Sequence, residues 1–138
     1  MRVLVDAPVW SMAFRRRPAD LSGEEAAAVR DLAALAAEGG AVLLGSVRQE
    51  VLTGIRGEDA FERLRRAVDC FPDEPLVPGD FVEAARSFNR CRARGIAGNG
   101  FDLLLCAVAL RLGIPIFTLD DDFERYARVL PIRLHRPR

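Results

Sequence analysis

Four acidic side chains stand at the ends of apolar segments that are spread through this chain: Asp6, Glu50, Asp102 and Asp120. Carboxylates that are brought together repel one another and lose solvation, so proteins gather them chiefly to bind a hard divalent cation. Both Mg²⁺ and Mn²⁺ suit such oxygen ligands. If the fold brings the four together, they indicate a metal-dependent nuclease site.

The elements that must position these acids alternate between β-type and helical segments, which is typical of a parallel sheet covered by helices. Buried strands are predicted at residues 2–5, 41–44 and 114–119, with an edge strand at 132–134 and room for one short strand within 71–77. A chain of 138 residues is long enough for one hydrophobic core and too short for two. We therefore expect a single α/β domain over residues 1–138.

The order of the elements predicts that the acids converge. In an open parallel sheet, ligands bind beyond the carboxyl ends of the strands, at the point where the strand order reverses. Asp6 directly follows the first strand, Asp120 follows the last central strand, and Glu50 lies about one turn into the helix after the second strand. Asp102 lies in the first turn of an apolar helix, where a carboxylate is costly without a partner. Asp122 is expected as a supporting ligand or a helix cap.

Helix boundaries are predicted from capping residues. Ser22 followed by Glu25 forms a capping box at the start of an Ala-rich helix, and Ser46 with Gln49 repeats the pattern before the helix that carries Glu50. Further helices are predicted at 58–68, 80–94, 101–112 and 122–130, with Asp80 as the N-cap of the second of these.

The composition excludes several other classes of enzyme. All twenty basic residues are arginine, and the chain contains no lysine, so P-loop, Schiff-base and lysine-dependent aspartyl-phosphate mechanisms lack their required residue. His135, the only histidine, lies in an Arg-rich tail, which disfavours histidine-based catalysis. Cys70, Cys91 and Cys106 lack the spacing of zinc or redox motifs. Free thiols, together with no apparent signal peptide or membrane span, favour a cytoplasmic protein.

Taken together, the motifs resemble those of the PIN-domain ribonucleases and, within that family, the VapC-like toxins of bacterial toxin–antitoxin pairs. The resemblance covers nearly the whole chain and is carried by VLVD at 3–6, EVLTG at 50–54, DLLLCA at 102–107 and TLDDDF at 118–123. It implies a three-layer α/β/α fold with a central, mainly parallel sheet of four to five strands. It also implies hydrolysis of RNA phosphodiester bonds by water, with Mg²⁺ or Mn²⁺ as cofactor.

The resemblance also implies roles and partners. Asp6 and Asp102 become the primary metal ligands, Glu50 and Asp120 complete the acidic set, and Asp122 supports it. A small VapB-like antitoxin that covers the acidic pocket is implied, as is a homodimer.

One position departs from the family pattern and keeps an alternative open. The family usually has Ser or Thr directly after its first aspartate, whereas this chain has Ala7, so a hydroxyl that helps to organise the site is missing. A catalytically impaired PIN-fold module that binds RNA or protein is therefore the alternative. A phosphate-transferring enzyme with Asp6 as nucleophile is disfavoured by the absence of lysine and of an acid at Pro8.

Arginine clusters are candidate surfaces for RNA phosphates, because the guanidinium group offers a bidentate contact. They lie at residues 15–17, at 86, 90, 92 and 94, and at 133–138. Since the net charge is zero, most of these arginines are expected to be solvated or to pair with nearby acids.

Overall fold

A three-stranded parallel sheet forms the centre of the computed structural model, which describes residues 1–137. The strands are β1 (Val3–Val5), β2 (Ala41–Val42) and β3 (Ile116–Phe117), in the order β2-β1-β3. In the register, Leu4 lies opposite Val42 on one side and Ile116 on the other. The expected α/β fold with a parallel sheet is confirmed.

The two outer segments predicted as strands make only single parallel bridges. Asp73 bridges Leu43 beyond β2, and Leu134 bridges Ile116 beyond β3. Five segments thus lie side by side, although only the inner three have the continuous pairing of strands within residues 1–137.

Seven α-helices surround the sheet in the part of the chain that the structure describes. They are α1 (Ala7–Arg15), α2 (Gly23–Ala37), α3 (Gly45–Leu52), α4 (Glu58–Val68), α5 (Pro78–Ala93), α6 (Gly100–Leu112) and α7 (Asp122–Tyr126), with a 3₁₀ turn at Pro18–Asp20. Helix α1 packs against α2, α3 and α4, whereas α5 packs against α6. None of the helices described within residues 1–137 is long and apolar enough to cross a membrane.

The hydrophobic core holds the strand ends in fixed positions. All three residues of β1 are fully buried, as is the indole of Trp10 in α1. Residues 103–109 of α6 are all buried, which explains why this helix is apolar nearly all round. The helix begins where the Asn99 side chain accepts a hydrogen bond from the Phe101 N–H (2.9 Å), and it ends at Gly113 in the left-handed conformation.

The first predicted capping box is confirmed. The Ser22 hydroxyl accepts from the Glu25 N–H (3.1 Å), and the Glu25 carboxylate accepts from the Ser22 N–H (2.8 Å). These two bonds satisfy backbone donors that the first turn of α2 would otherwise leave unpaired.

Two other capping predictions were wrong. Helix α3 begins at Gly45, one residue before Ser46, because Leu44 is fully buried as the chain leaves β2 and so determines where the helix starts. Helix α5 begins at Pro78, whose fixed φ suits the first helical position. Asp80 therefore lies inside the first turn, where its carboxylate accepts from the Val77 N–H (2.9 Å).

Candidate metal centre

Asp6 lies at the carboxyl end of the central strand, with one neighbouring strand on each side. The strand order reverses at this point, which is where open parallel sheets bind ligands. The residue is the N-cap of α1 and only 3% exposed. One carboxylate oxygen accepts from the Ala7 N–H (2.8 Å) and the other from the Thr118 hydroxyl (2.8 Å). Both oxygens are therefore held in a fixed orientation.

The segment after β3 folds back on itself through hydrogen bonds between its own residues. The Thr118 hydroxyl donates to Asp6 and accepts from the Asp120 N–H (3.0 Å). In turn, an Asp120 carboxylate oxygen accepts from the Asp122 N–H (2.9 Å). This arrangement links the backbone of the segment TLDDDF (118–123) to the carboxylate of Asp6 at the end of β1.

Asp102, in the first turn of α6, lies at the same site. One of its carboxylate oxygens accepts from the Tyr126 hydroxyl (3.1 Å). One oxygen from each of Asp102, Asp120 and Asp122 lies within 4.8 Å of the other two. Asp122 also forms an ion pair with Arg125 of the same helix, so part of its charge is already neutralised.

Glu50 approaches the group from α3, on the side of β2. Its side chain is exposed, yet loss of solvation and the negative charge of Asp6 raise the pKa of its carboxyl above the ordinary value. Glu50 is therefore within electrostatic range of Asp6, but it is not one of the acids whose oxygens lie within 4.8 Å of one another.

Burial, together with neighbouring negative charge, raises the pKa values of the two inner aspartates, Asp6 and Asp102. Burial and then the charge of Asp6 raise the pKa of Asp102 to about 6, against the opposing effect of the Tyr126 hydrogen bond; Asp120 and Glu50 raise it further. Burial also raises the pKa of Asp6, which Thr118 and the Ala7 N–H counteract. Asp102 is thus affected by the charges of the other three predicted acids, whereas the acids whose oxygens lie within 4.8 Å of one another are Asp102, Asp120 and Asp122.

This donor set fits a hard divalent cation. Among residues 1–137, no arginine or histidine forms an ion pair with Asp6, Glu50, Asp102 or Asp120. Carboxylate oxygens are the preferred ligands of Mg²⁺ and Mn²⁺, and a bound dication would compensate the repulsion that raises these pKa values.

Two side chains that contact the acids, Thr118 and Tyr126, were not predicted as site residues, although Thr118 begins the motif TLDDDF. The Thr118 hydroxyl donates a hydrogen bond to Asp6. It thus supplies a hydroxyl contact to this acid in a chain in which Ala7 cannot. The position of Thr118 two residues before Asp120 could have indicated that it lies at the site. The sequence around Tyr126 gives no comparable indication, because only the fold brings its hydroxyl to Asp102.

The single tryptophan supports the same strand end. The Trp10 indole N–H donates to the carbonyl of Val5 (3.1 Å), the residue directly before Asp6. Its ring is fully buried and packs edge-on against Phe71. Helix α1 is thereby fixed to the strand that carries the first acid.

Several arginines of the predicted clusters pair with acids, as expected. Arg86 and Arg90 both contact Glu83, and Arg16 contacts Glu25. Arg136 contacts Glu124. Arg138, the last residue of the third cluster, lies outside the described residues.

Comparisons with known proteins agree with the geometry. The structure is similar to the crystal structure of FitAcB from Neisseria gonorrhoeae, with a TM-score of 0.75 over 98% of this chain and 97% of that chain. Sequence identity is 16%, so this likeness concerns the fold alone. No curated protein matches the sequence significantly. The family model described as the PIN domain matches residues 3–129, and the chain therefore belongs to the PIN domain family.

Proposed function

We propose that this protein is a metal-dependent ribonuclease that hydrolyses RNA phosphodiester bonds and acts as the toxin of a VapBC-type toxin–antitoxin pair. PIN domains are generally metal-dependent nucleases. The observation that supports the proposal is the acidic group beyond the carboxyl end of β1, in which oxygens of Asp102, Asp120 and Asp122 lie within 4.8 Å of one another. Asp6, Glu50 and Asp120 raise the pKa of Asp102 through their charge, and none of these four acids has an ion-pair partner among the described residues. Such an arrangement is unfavourable unless a cation is bound there.

In this proposal, Asp6 and Asp102 hold the cation directly, Glu50 and Asp120 complete the set, and Asp122 supports it. A bound Mg²⁺ or Mn²⁺ would lower the pKa of a water molecule and neutralise charge on the substrate phosphate. The acids alone repel a phosphate, so productive binding of RNA at this site depends on the cation.

The residues around the acids have the task of positioning them. The Thr118 hydroxyl donates a hydrogen bond to one oxygen of Asp6, and the Ala7 N–H donates to the other. Both oxygens are therefore held in a fixed orientation. Tyr126 restrains Asp102 in the same way. Such supporting hydrogen bonds orient metal ligands, and removing one commonly lowers metal affinity roughly 10- to 100-fold. The hydroxyl of Thr118 thus offers support at Asp6 that Ala7 lacks.

The partners are proposed from the family resemblance. We propose a small VapB-like antitoxin that covers the acidic site, a homodimer, and a cytoplasmic RNA as substrate. Co-expression tests the antitoxin directly. Growth arrest by this chain alone, relieved by the product of a small neighbouring reading frame, is the expected result. If the Asp102→Asn variant arrested growth as strongly as the wild type does, the toxicity would not depend on RNA cleavage, and this part of the proposal would be wrong.

Cleavage of a mixed RNA pool tests the enzymatic proposal. We expect cleavage by the purified protein with Mg²⁺ or Mn²⁺ and none in EDTA. Asp6→Asn and Asp102→Asn should lose activity, because each removes a charged ligand. Asp121→Asn is the matched control, since this exposed aspartate lies in the same loop outside the acidic set. Absence of cleavage by folded, metal-loaded wild type would refute the proposal.

Ala7 favours a second candidate, the catalytically impaired binding module. If the missing hydroxyl limits activity, Ala7→Ser should increase cleavage, provided that the variant folds. If Thr118 already supplies the needed hydrogen bond, Ala7→Ser should leave the rate unchanged. Binding of RNA without cleavage in both proteins would support the module.

A further inference from the structure

The hydroxyl of Ser46 is buried in the first turn of α3 and has no hydrogen-bond partner among residues 1–137. It does not cap the helix, because α3 begins one residue earlier, at Gly45. The hydroxyl of Ser87 in α5 is the one other buried side-chain oxygen or nitrogen without a partner in this part of the chain. Proteins pair nearly all of their buried polar groups, so each exception requires an explanation.

Ser46 lies at the carboxyl end of the parallel sheet, as Asp6 does. Helix α3 follows β2, and β2 runs parallel to β1, so the first turn of α3 lies at the end of the sheet where β1 leads into Asp6. Glu50 comes four residues after Ser46 in the same helix. The two side chains are therefore about 40° apart around the helix axis, on one side of α3 and one turn from each other.

The opposite side of α3 is fixed to the outer segment that pairs beyond β2. Arg48 donates from its Nε to the carboxylate of Asp73 in that segment (2.8 Å). Arg48 lies about 200° around the helix from Ser46, so the side with Ser46 and Glu50 is turned away from the outer segment. Burial and the charge of Asp6 raise the pKa of Glu50, which agrees with this side facing the first acid.

A partner for the Ser46 hydroxyl must come from a side chain that can move, because the oxygen itself is shielded from solvent. Glu50 meets this requirement, since it is exposed and lies one turn further along the same side of α3. Side chains in a helix lean toward its N-terminus and cover the turn before their own Cα. For Glu50 that turn contains Ser46. A shift of the Glu50 carboxylate in this direction takes it toward the carboxyl end of the sheet, where Asp6 lies.

We propose that Ser46 is a positioning residue whose hydroxyl donates a hydrogen bond to the Glu50 carboxylate and holds it at the carboxyl end of the sheet when a divalent cation is bound. In the structure Glu50 is not among the acids whose oxygens lie within 4.8 Å of one another. A bound cation would offset the repulsion by Asp6 that opposes a closer approach of Glu50. This role of Ser46 rests on the proposed function, because it requires a cation at the acidic group.

Calorimetric titration of the whole protein with Mn²⁺ tests this role without RNA. Ser46→Ala should lower the affinity for Mn²⁺ about tenfold, as the loss of a hydrogen bond to a metal ligand commonly does. Ser46→Thr keeps the hydroxyl and should retain the affinity. Ser87→Ala is the matched control, because it removes the other buried and unpartnered hydroxyl from a different helix and should leave the affinity unchanged. In EDTA neither alanine variant should lower the Tm, since each removes a buried polar group that lacks a compensating hydrogen bond.

A double-mutant cycle identifies the side chain through which Ser46 acts. In a Glu50→Ala background, Ser46→Ala should cause no further loss of Mn²⁺ affinity, because the acceptor of its hydrogen bond is gone. A loss of the same size in that background, an unchanged affinity of Ser46→Ala alone, or an equal loss with Ser87→Ala would overturn the proposal.

Stability and cleavage separate the remaining outcomes. A lower Tm of Ser46→Ala in EDTA would assign the hydroxyl a partner in the metal-free fold and would also overturn the proposed role. If the wild type bound no Mn²⁺, this role and the metal dependence of the proposed function would both be wrong. If the wild type bound Mn²⁺ but cleaved no RNA, the ribonuclease proposal alone would fail, and the same titrations would still decide the role of Ser46.

Discussion

Replacing Asp102 by asparagine should stabilise the metal-free protein at pH 7, although the change removes a proposed ligand. Burial and the charge of Asp6 raise the pKa of Asp102 from 3.8 to about 6, so the folded state holds an ionised carboxylate at pH 7 at an energetic cost. Asparagine keeps the shape of the side chain and can still accept the hydrogen bond from Tyr126, but it carries no charge.

The size of the effect follows from the two pKa values. The difference between 3.8 and about 6 corresponds to about 3 kcal/mol. Since Asp102 is only half-buried, solvent screening reduces this to about 1–2 kcal/mol. Between these pH values the folded state binds more protons than the unfolded state. The contribution of Asp102 to stability is therefore fully present below about pH 4 and is lost as the pH rises through about 6.

Thermal unfolding in EDTA measures this directly. At pH 7 the Tm of Asp102→Asn should exceed that of the wild type by about 3–7 °C for a chain of this length. The advantage should disappear as the pH approaches 4, while Asp121→Asn, an exposed control, should change little at either pH. Added Mn²⁺ should raise the Tm of the wild type more than that of the variant. A less stable Asp102→Asn protein at pH 7 would refute the electrostatic reasoning.

Three further substitutions test single contacts. Thr118→Val removes the hydroxyl that orients Asp6 and should weaken Mn²⁺ binding by about tenfold or more in calorimetry, whereas Thr118→Ser should restore it; equal affinities would exclude a positioning role. Tyr126→Phe removes a hydrogen bond that lowers the pKa of Asp102, so the acid limb of the pH–activity profile should move to higher pH. Ser22→Ala should cost about 1 kcal/mol in urea unfolding with no effect on metal affinity.

Elements with strong local signals could be predicted from the sequence. The run VLV before Asp6 gave β1, and Ser22 with Glu25 gave the start of α2. Helix α4 has the predicted bounds Glu58–Val68. In these places backbone preference, capping and hydrophobic pattern all favour the same structure, so distant contacts are not needed to decide it.

Features that depend on contacts between distant residues could not be predicted. The bond between Thr118 and Asp6 joins residues that are 112 positions apart. Asp80 lies inside the first turn of α5 and not at its N-cap, and Arg111 from α6 donates to both of its oxygens (2.7 and 3.0 Å). Ser46 failed as a cap because burial of the preceding Leu44 set the start of α3. Local patterns do not contain these tertiary constraints.

The hydrogen bond from Trp10 to the end of β1 gives the protein an intrinsic optical probe. This is the only tryptophan in the chain, and it contacts the residue next to Asp6 from a fully buried position. Its fluorescence will therefore report on the structure of the β1–α1 junction alone, because no other tryptophan contributes to the signal. Titrations with metal and unfolding by urea can be recorded on the same unlabelled sample, which separates loss of the cation from loss of the fold.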